Sequence, residues 1–308
     1  MVSIEEASIV KKKIESEILK KENVNGLAIG YKVKDNKETN EICIVVFVDE
    51  KKKNVSEIQM IPTEIDGIKT DVRQRAGILH ISGSRAIGTS APSQVMGGIA
   101  IGPARTGTFG TLSVVVLDRD SNPMALSCAH VLAVDRNDHR GDDIILPFVT
   151  GRPKIGELDK FVFSSNTDAA VARLSNNVIY SFGINLIEGI QEFASREYTR
   201  ELFETGHRNI KKSGVVSGFT QGTIEAIHSS ITAKYEFGQM DLNDLIQIKP
   251  AIQGSTFSSD GDSGSCIIDE FKRVIGIIIG VGRDGYTYAN HIQNITEALK
   301  VTFVRQIT

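Results

Sequence analysis

The run Ser258-Ser259-Asp260-Gly261-Asp262-Ser263-Gly264-Ser265-Cys266 sets glycines on both sides of an Asp-Ser pair, freeing the backbone for unusual dihedrals and for close approach of another chain. A serine hydroxyl is a weak nucleophile at neutral pH. Acyl chemistry needs a neighbouring base and a third group that fixes the base's tautomer. Two earlier segments supply those types in order. Ala125-Leu126-Ser127-Cys128-Ala129-His130-Val131-Leu132 places His130 at the end of an apolar strand, where a turn can present its ring to a cleft. Asn166-Thr167-Asp168-Ala169-Ala170-Val171 places Asp168 at the start of another. The glycine-flanked turn can also aim the Gly261 and Ser263 N–H groups at one point, making two donors for a developing oxyanion. Loss of one such donor costs on the order of 10²-fold or more in rate. Asp135, Asp138, Asp142 and Asp143 compete with Asp168 for the carboxylate role, but they sit in a polar loop with no adjoining strand.

Short strands are the elements such residues need. From Gly98 onward, apolar runs bounded by Gly, Asn, Asp or Ser recur: 98–101, 110–117, 125–134, 168–174, 215–227, 245–248, 266–268 and 274–281. Many short strands at this spacing predict barrels or a sandwich. Helical spacing over 184–203 predicts an insert joining two β units, and 292–301 reads as a closing helix. Before residue 90 the pattern differs. Ser3 with Glu6 has the capping-box form, and Ile4, Ala7, Val10, Ile14 and Ile18 continue at helical spacing. Strand-like runs at 24–33, 41–48 and 67–72 follow, the first two separated by Lys34-Asp35-Asn36-Lys37. The organisation expected is a small α+β domain over 1–90 and a β domain over 91–308, joined by the Gly- and Ser-rich stretch after Arg73.

Composition narrows the partners. At 308 residues the chain suits one large domain with a smaller companion. A formal net charge of -3, from 35 basic and 38 acidic side chains, gives no concentrated basic face for nucleic acid. The apolar run 274–281 falls far short of the roughly 20 residues that cross a bilayer. The N-terminus lacks a secretory pattern, and the three cysteines, Cys43, Cys128 and Cys266, are odd in number and widely spaced, so cytoplasmic residence is the expectation. His80, His139, His207, His228 and His291 show no metal-ligand spacing and no cofactor is implied; the cysteines read as packing residues, with a Cys128–Cys266 redox pair as the alternative.

The order His, Asp, Ser, together with Gly261-Asp262-Ser263-Gly264 and Ala129-His130-Val131, resembles the trypsin-like (chymotrypsin-fold) serine peptidases from about residue 95 to about 300. Gly107-Thr108-Phe109-Gly110-Thr111-Leu112, His139-Arg140-Gly141-Asp142-Asp143-Ile144 and Ser213-Gly214 through Thr220-Gln221-Gly222-Thr223-Ile224 extend the likeness. With Gly26-Leu27-Ala28-Ile29-Gly30 and Ile61-Pro62-Thr63-Glu64-Ile65-Asp66-Gly67, the chain resembles the narrow-leaf-type group of plant and bacterial members. That resemblance implies a mainly β, double-barrel peptidase domain behind the N-terminal domain, an oligomeric state, and intracellular protein substrates. It also implies roles: His130 the general base, Asp168 its orienting carboxylate, Ser263 the nucleophile, and Gly261 and Ser263 the oxyanion donors. Phe257 falls at the base of the specificity pocket and Ile279, Gly280 and Gly282 along its wall, which implies a preference for a small or apolar side chain. In secreted relatives the residue matching Asp262 pairs with an N-terminus freed by processing. No cleavable pro-segment is recognisable here, so Asp262 is expected to pair with an internal Lys or Arg or to stay partly solvated. Three functions are consistent with this sequence: an endopeptidase, a silent peptide-binding module, and an effector whose site a partner orders.

Overall fold

The computed structural model describes residues 2–52, 54–75, 79–81, 83, 94–137 and 139–304. Helix α1 (Ile4–Ile18) opens the chain on the expected capping box: Glu6 N–H donates to Ser3 Oγ at 3.2 Å and Ser3 N–H to Glu6 Oε2 at 2.8 Å. Its buried stripe is Ile4, Ala7, Lys11, Ile14 and Ile18, so Lys11 stands where Val10 was expected; the Lys11 ammonium reaches Ser230 Oγ at 2.7 Å. Strands β1 (Val24–Lys34) and β2 (Lys37–Val48) form a hairpin turned at Asp35 and Asn36, both left-handed, a pair of residue types suited to a two-residue turn. Strands β3 (Glu64–Ile65), β4 (Ile68–Gln74) and β5 (Leu79–His80) complete this part of the chain. The boundary expected near residue 90 lies outside the described residues.

The first barrel takes β7 (Ala100–Pro103), β8 (Gly110–Thr111), β9 (Val114–Leu117), β10 (Pro123–Ser127), β11 (Asp143–Ile145), β12 (Lys154–Ser164) and β13 (Thr167–Leu174) in the spatial order β8-β7-β11-β12-β13-β10-β9. Strand β10 ends at Ser127, and His130 sits on the one-turn helix α2 (Ala129–Leu132) rather than on the strand. Strand β6 (Val95–Gly97) pairs with β14 (Tyr180–Ile184). The linking stretch expected to be helical over 184–203 is helical only as α3 (Arg196–Glu204), preceded by β15 (Glu192–Phe193). Leu186 and Gly189 adopt positive φ, which no helix interior accommodates, and Ser195 caps α3 by accepting from Tyr198 N–H.

The second barrel runs β16 (Asn209–Gly214), β19 (Cys266–Asp269), β20 (Arg273–Val281), β21 (Thr287–His291), β18 (Gly238–Pro250) and β17 (Gly218–Tyr235), and it closes because β16 also pairs with β17. Helix α4 (Ile292–Leu299) follows. Strand β1 hydrogen-bonds to β17, so the N-terminal strands extend the second barrel's sheet, and α1 shares a core with Ile248, Phe257, Ile267 and Ile278. A separate core of Val114, Leu126, Val131, Val171 and their neighbours fills the first barrel and continues to Ile277 and Ile279. Among the described residues no helix is long and apolar enough to cross a membrane.

Candidate active site

Helix α2 and the start of β13 bring His130 and Asp168 together. His130 Nδ1 and Asp168 Oδ2 are 2.7 Å apart, and the other carboxylate oxygen accepts the His130 N–H at 3.1 Å. One carboxylate therefore fixes both the ring and the turn that carries it. Asp168 is fully buried and His130 nearly so. An ionised carboxylate on Nδ1 holds the proton there and leaves Nε2 as the acceptor nitrogen. His130 Nε2 is itself buried and has no hydrogen-bond partner among the described residues. A buried polar atom without a partner is costly, and such atoms cluster where function demands them.

Ser263 lies in the turn between β18 and β19, which is tied to the start of α2 through the Ile278 carbonyl that accepts from both Gly264 N–H and Cys128 Sγ–H. Its hydroxyl donates to the Ile279 carbonyl at 3.1 Å, not to His130. That carbonyl is available because the β20–β21 register slips between Ile278 and Gly280. The turn is held from several sides: Thr111 N–H donates to the Ser263 carbonyl at 2.7 Å, Thr111 Oγ1 to the Gly261 carbonyl at 2.9 Å, and Gly264 N–H to the Ile278 carbonyl at 2.8 Å. Gly264 has φ +96°, and a Cβ there would lie 2.0 Å from the Thr111 carbonyl oxygen, so no other residue fits. Gly261 is also left-handed, at φ +103°. Among the described residues neither Gly261 N–H nor Ser263 N–H is committed to an acceptor.

Asp262 points away from the nucleophile into the protein. Its Oδ2 lies 3.2 Å from Lys212 Nζ, and both side chains are completely buried. The carboxylate also accepts Val216 N–H at 2.9 Å, Ser217 N–H at 3.2 Å, Ser259 N–H at 3.0 Å and the Ser217 hydroxyl. Lys212 donates in addition to the Gly218 carbonyl at 3.0 Å. Burial pulls the Lys212 ammonium below its usual range, and Asp262 opposes that shift. An internal lysine on β16 is thus the partner expected for Asp262, in its buried rather than its solvated form.

Sequence reasoning missed two residues. Asn290 on β21 accepts the Asp168 N–H at 2.8 Å and donates to the Asn166 carbonyl at 3.1 Å, tying the first barrel's carboxylate strand to the second barrel. Nothing around Asn290 in the chain signals this. Tyr235 ends β17 with its ring centroid 6.3 Å from that of His130, and its hydroxyl is buried toward the Asp168 carboxylate. Burial, and then the Asp168 charge, hold that hydroxyl protonated far above the usual tyrosine range. The alternation Ile231, Ala233, Tyr235 before Gly238 was the available signal.

Of the residues expected around the specificity pocket, Ile279 meets Ser263 through its carbonyl. Phe257 is fully buried in the core shared with α1, its ring against Gly222. Gly280 and Gly282 lie on and just beyond β20, and Asp135 and Asp142 instead pair with His139. Cys128, His130 and Asp168 hold ligand-type atoms within 4.8 Å of one another, the metal-like spacing that sequence did not reveal. Burial and the Asp168 charge push the Cys128 thiol well up, away from the thiolate a metal requires, and it donates to the Ile278 carbonyl at 3.2 Å.

Two barrels, the first carrying His130 and Asp168 and the second the Ser263 turn, define a chymotrypsin-like fold. A glutamic acid-specific serine protease, described as using a histidine triad in substrate binding, aligns over 68% of this chain and 100% of its own at 19% identity, with a TM-score of 0.51. Cellulomonas bogoriensis chymotrypsin aligns over 69% and 100% at 19% identity and TM-score 0.50, and Thermobifida fusca protease A over 70% and 100% at 16% and 0.50. No family model and no curated protein sequence matches the chain.

Proposed function

We propose that this chain is a serine endopeptidase of the narrow-leaf-type group. The observation that carries the reading is the buried His130–Asp168 pair, whose Nε2 has no hydrogen-bond partner among the described residues, together with a serine turn anchored from within. In this mechanism the Ser263 hydroxyl turns from the Ile279 carbonyl to His130 Nε2, and its proton passes to that nitrogen as the oxygen attacks a peptide carbonyl. The Gly261 and Ser263 N–H groups receive the oxyanion. His130 then protonates the departing amine, and water, deprotonated by the same nitrogen, releases the acyl group from Ser263. Asp168 remains ionised and stabilises the imidazolium. Three free, buried cysteines fit intracellular protein substrates in a reducing compartment. The same resemblance carries a homo-oligomeric state, which light scattering on the purified chain tests.

The test is labelling with a fluorophosphonate probe. Wild type is expected to label, Ser263→Ala not at all, and His130→Ala at least about 10²-fold more slowly. Equal labelling of all three ends the proposal. A second reading, a silent or partner-activated protein of the same fold, is favoured by one observation: Ser263 Oγ is bonded to Ile279 rather than to His130, and both residues are buried. It predicts no labelling of the isolated chain and labelling only after a partner binds.

A further inference from the structure

A short strand lies next to the residues that follow Ile279. Strand β5 runs parallel to β17, with Leu79 opposite Ala233 and His80 opposite Lys234, and Ile81 N–H donates to the Lys234 carbonyl at 2.9 Å. This short strap also lies over Gly280, next in the chain to the residue that accepts the Ser263 hydroxyl. A Cβ at Gly280 would sit 3.5 Å from Leu79 Cδ1, 3.6 Å from Ile81 Cγ1 and 3.8 Å from the His80 carbonyl oxygen. The two aliphatic side chains straddle a bare backbone position, and both are almost fully buried, at 3% and 2% exposure, while His80 between them faces solvent.

Two residues further on, Gly83 meets the other barrel: a Cβ there would lie 2.9 Å from Thr108 Cβ. Thr108 stands just before Gly110, whose own Cβ would come 2.7 Å from the Ser263 carbonyl oxygen. Two residues of chain reach at most about 7 Å. Leu79–Ile81 thus meets the second barrel at Gly280, and Gly83 meets the first barrel at Thr108, near the Ser263 turn.

We propose that Leu79–Ile81 is a built-in occupant of the peptide groove. The groove takes an extended chain bearing aliphatic side chains two residues apart over Gly280, and a protein substrate enters by displacing the strap. The proposal deepens the peptidase reading and rests on it for the word substrate. The occupancy itself is tested separately. Alternation in a strand sends residues 79 and 81 to one face and His80 to the other, so the face turned to Gly280 is the one that selects. Gly280 matters because a Cβ there would just touch Leu79 and Ile81, so a side chain larger than a methyl would hold such a strand away.

The experiment compares full-length wild type, Ile81→Ala and Leu79→Ala/Ile81→Ala in two measurements. One is the rate of fluorophosphonate labelling. The other is fluorescence anisotropy of a labelled synthetic peptide of residues 77–83, with each chain carrying Ser263→Ala. Displacing the strap raises the accessible fraction, so the double variant is expected to label about tenfold faster than wild type and to bind the peptide at least about tenfold tighter, with Ile81→Ala between them. The single truncation leaves the pairing with β17 in place and keeps the test readable if the double variant does not fold. Peptide binding gained by the variants with no labelling of any chain upholds the occupant and ends the peptidase reading. Unchanged labelling rates with no peptide bound by either folded variant overturn the occupant and leave the peptidase reading standing.

Discussion

Replacing Lys212 by methionine removes an ammonium from a fully buried ion pair while keeping most of the side chain's length and volume. Breaking a buried pair by deleting one partner costs about 3–5 kcal/mol when the other charge is left uncompensated. Here Asp262 retains three backbone N–H donors and the Ser217 hydroxyl, so the lower end, about 3 kcal/mol, is expected. Taking a urea slope of about 3 kcal/mol per molar for a chain of this size, Lys212→Met should lower the unfolding midpoint by ~1 M. Asp262→Asn/Lys212→Met removes both charges, and its loss should fall short of the sum of the two single changes by about 1–3 kcal/mol. The functional readout is sharper. Asp262 sits between Gly261 and Ser263, so a turn loosened at Asp262 misplaces both proposed oxyanion donors, and fluorophosphonate labelling should fall about 10²-fold even where the protein remains folded. A midpoint shift below ~0.3 M together with unchanged labelling would refute the claim that Lys212 anchors the turn.

Other consequences concern neighbouring residues. His291 caps α4 by accepting from Gln293 N–H through Nδ1, with Thr199 Oγ1 2.7 Å from its Nε2. Burial lowers its pKa from 6.5 to about 4. The unfolded chain therefore binds the proton first, and the stability His291 contributes is complete above about pH 6.5 and is lost as pH falls towards 4. The loss amounts to about 3 kcal/mol. Urea midpoints measured from pH 7 to pH 4 should show this fall in wild type and much less of it in His291→Asn, which keeps a capping acceptor without a titrating group. Asn290→Leu should leave the Asp168 N–H unpaired in the interior and lower stability by about 1–3 kcal/mol, read as a shift in the thermal midpoint; a neutral result would mean that water or a backbone group replaces the amide. All three thiols are buried, and burial raises Cys43 and Cys266 to about 12, so none should react with a disulfide reagent until the protein unfolds.

Local rules carried the sequence reading a long way at some positions and failed at others for physical reasons. The α1 capping box, the Asp35-Asn36 turn and the position of Asp168 at a strand start depend on residues within four places of one another, and each was legible. The helix expected from residue 184 was shortened because Leu186 and Gly189 take positive φ, a conformation that periodicity does not encode. Strand β12 escaped notice, although its buried Ile155 and Leu158 pack in the first barrel core, since Glu157, Asp159 and Lys160 break up its apolar positions. The far half of the β17–β18 hairpin was missed in the same way. Partners distant in sequence were invisible altogether: Lys212 with Asp262, Asn290 with Asp168, and β5 with Gly280 meet through topology alone.

The internal anchor constrains how such a site can be controlled. Where a turn of this kind depends on a chain terminus, cleavage elsewhere can switch it from loose to ordered. Here the Asp262 carboxylate is satisfied by a lysine on β16 and by the β16–β17 connection, both parts of the closed second barrel. Loosening the turn would require opening that barrel. Control that leaves the barrel intact therefore acts on what remains free to change: the Ser263 hydroxyl, held at present by one neutral hydrogen bond to Ile279, and the chain lying over Gly280. A net hydrogen bond of that kind contributes only about 1 kcal/mol, within reach of a bound peptide that offers His130 Nε2 a better-placed Ser263 hydroxyl. On this reasoning trimming residues before α1 leaves labelling unchanged, whereas displacing β5 changes it, and the order of those two effects separates control by access from control by processing.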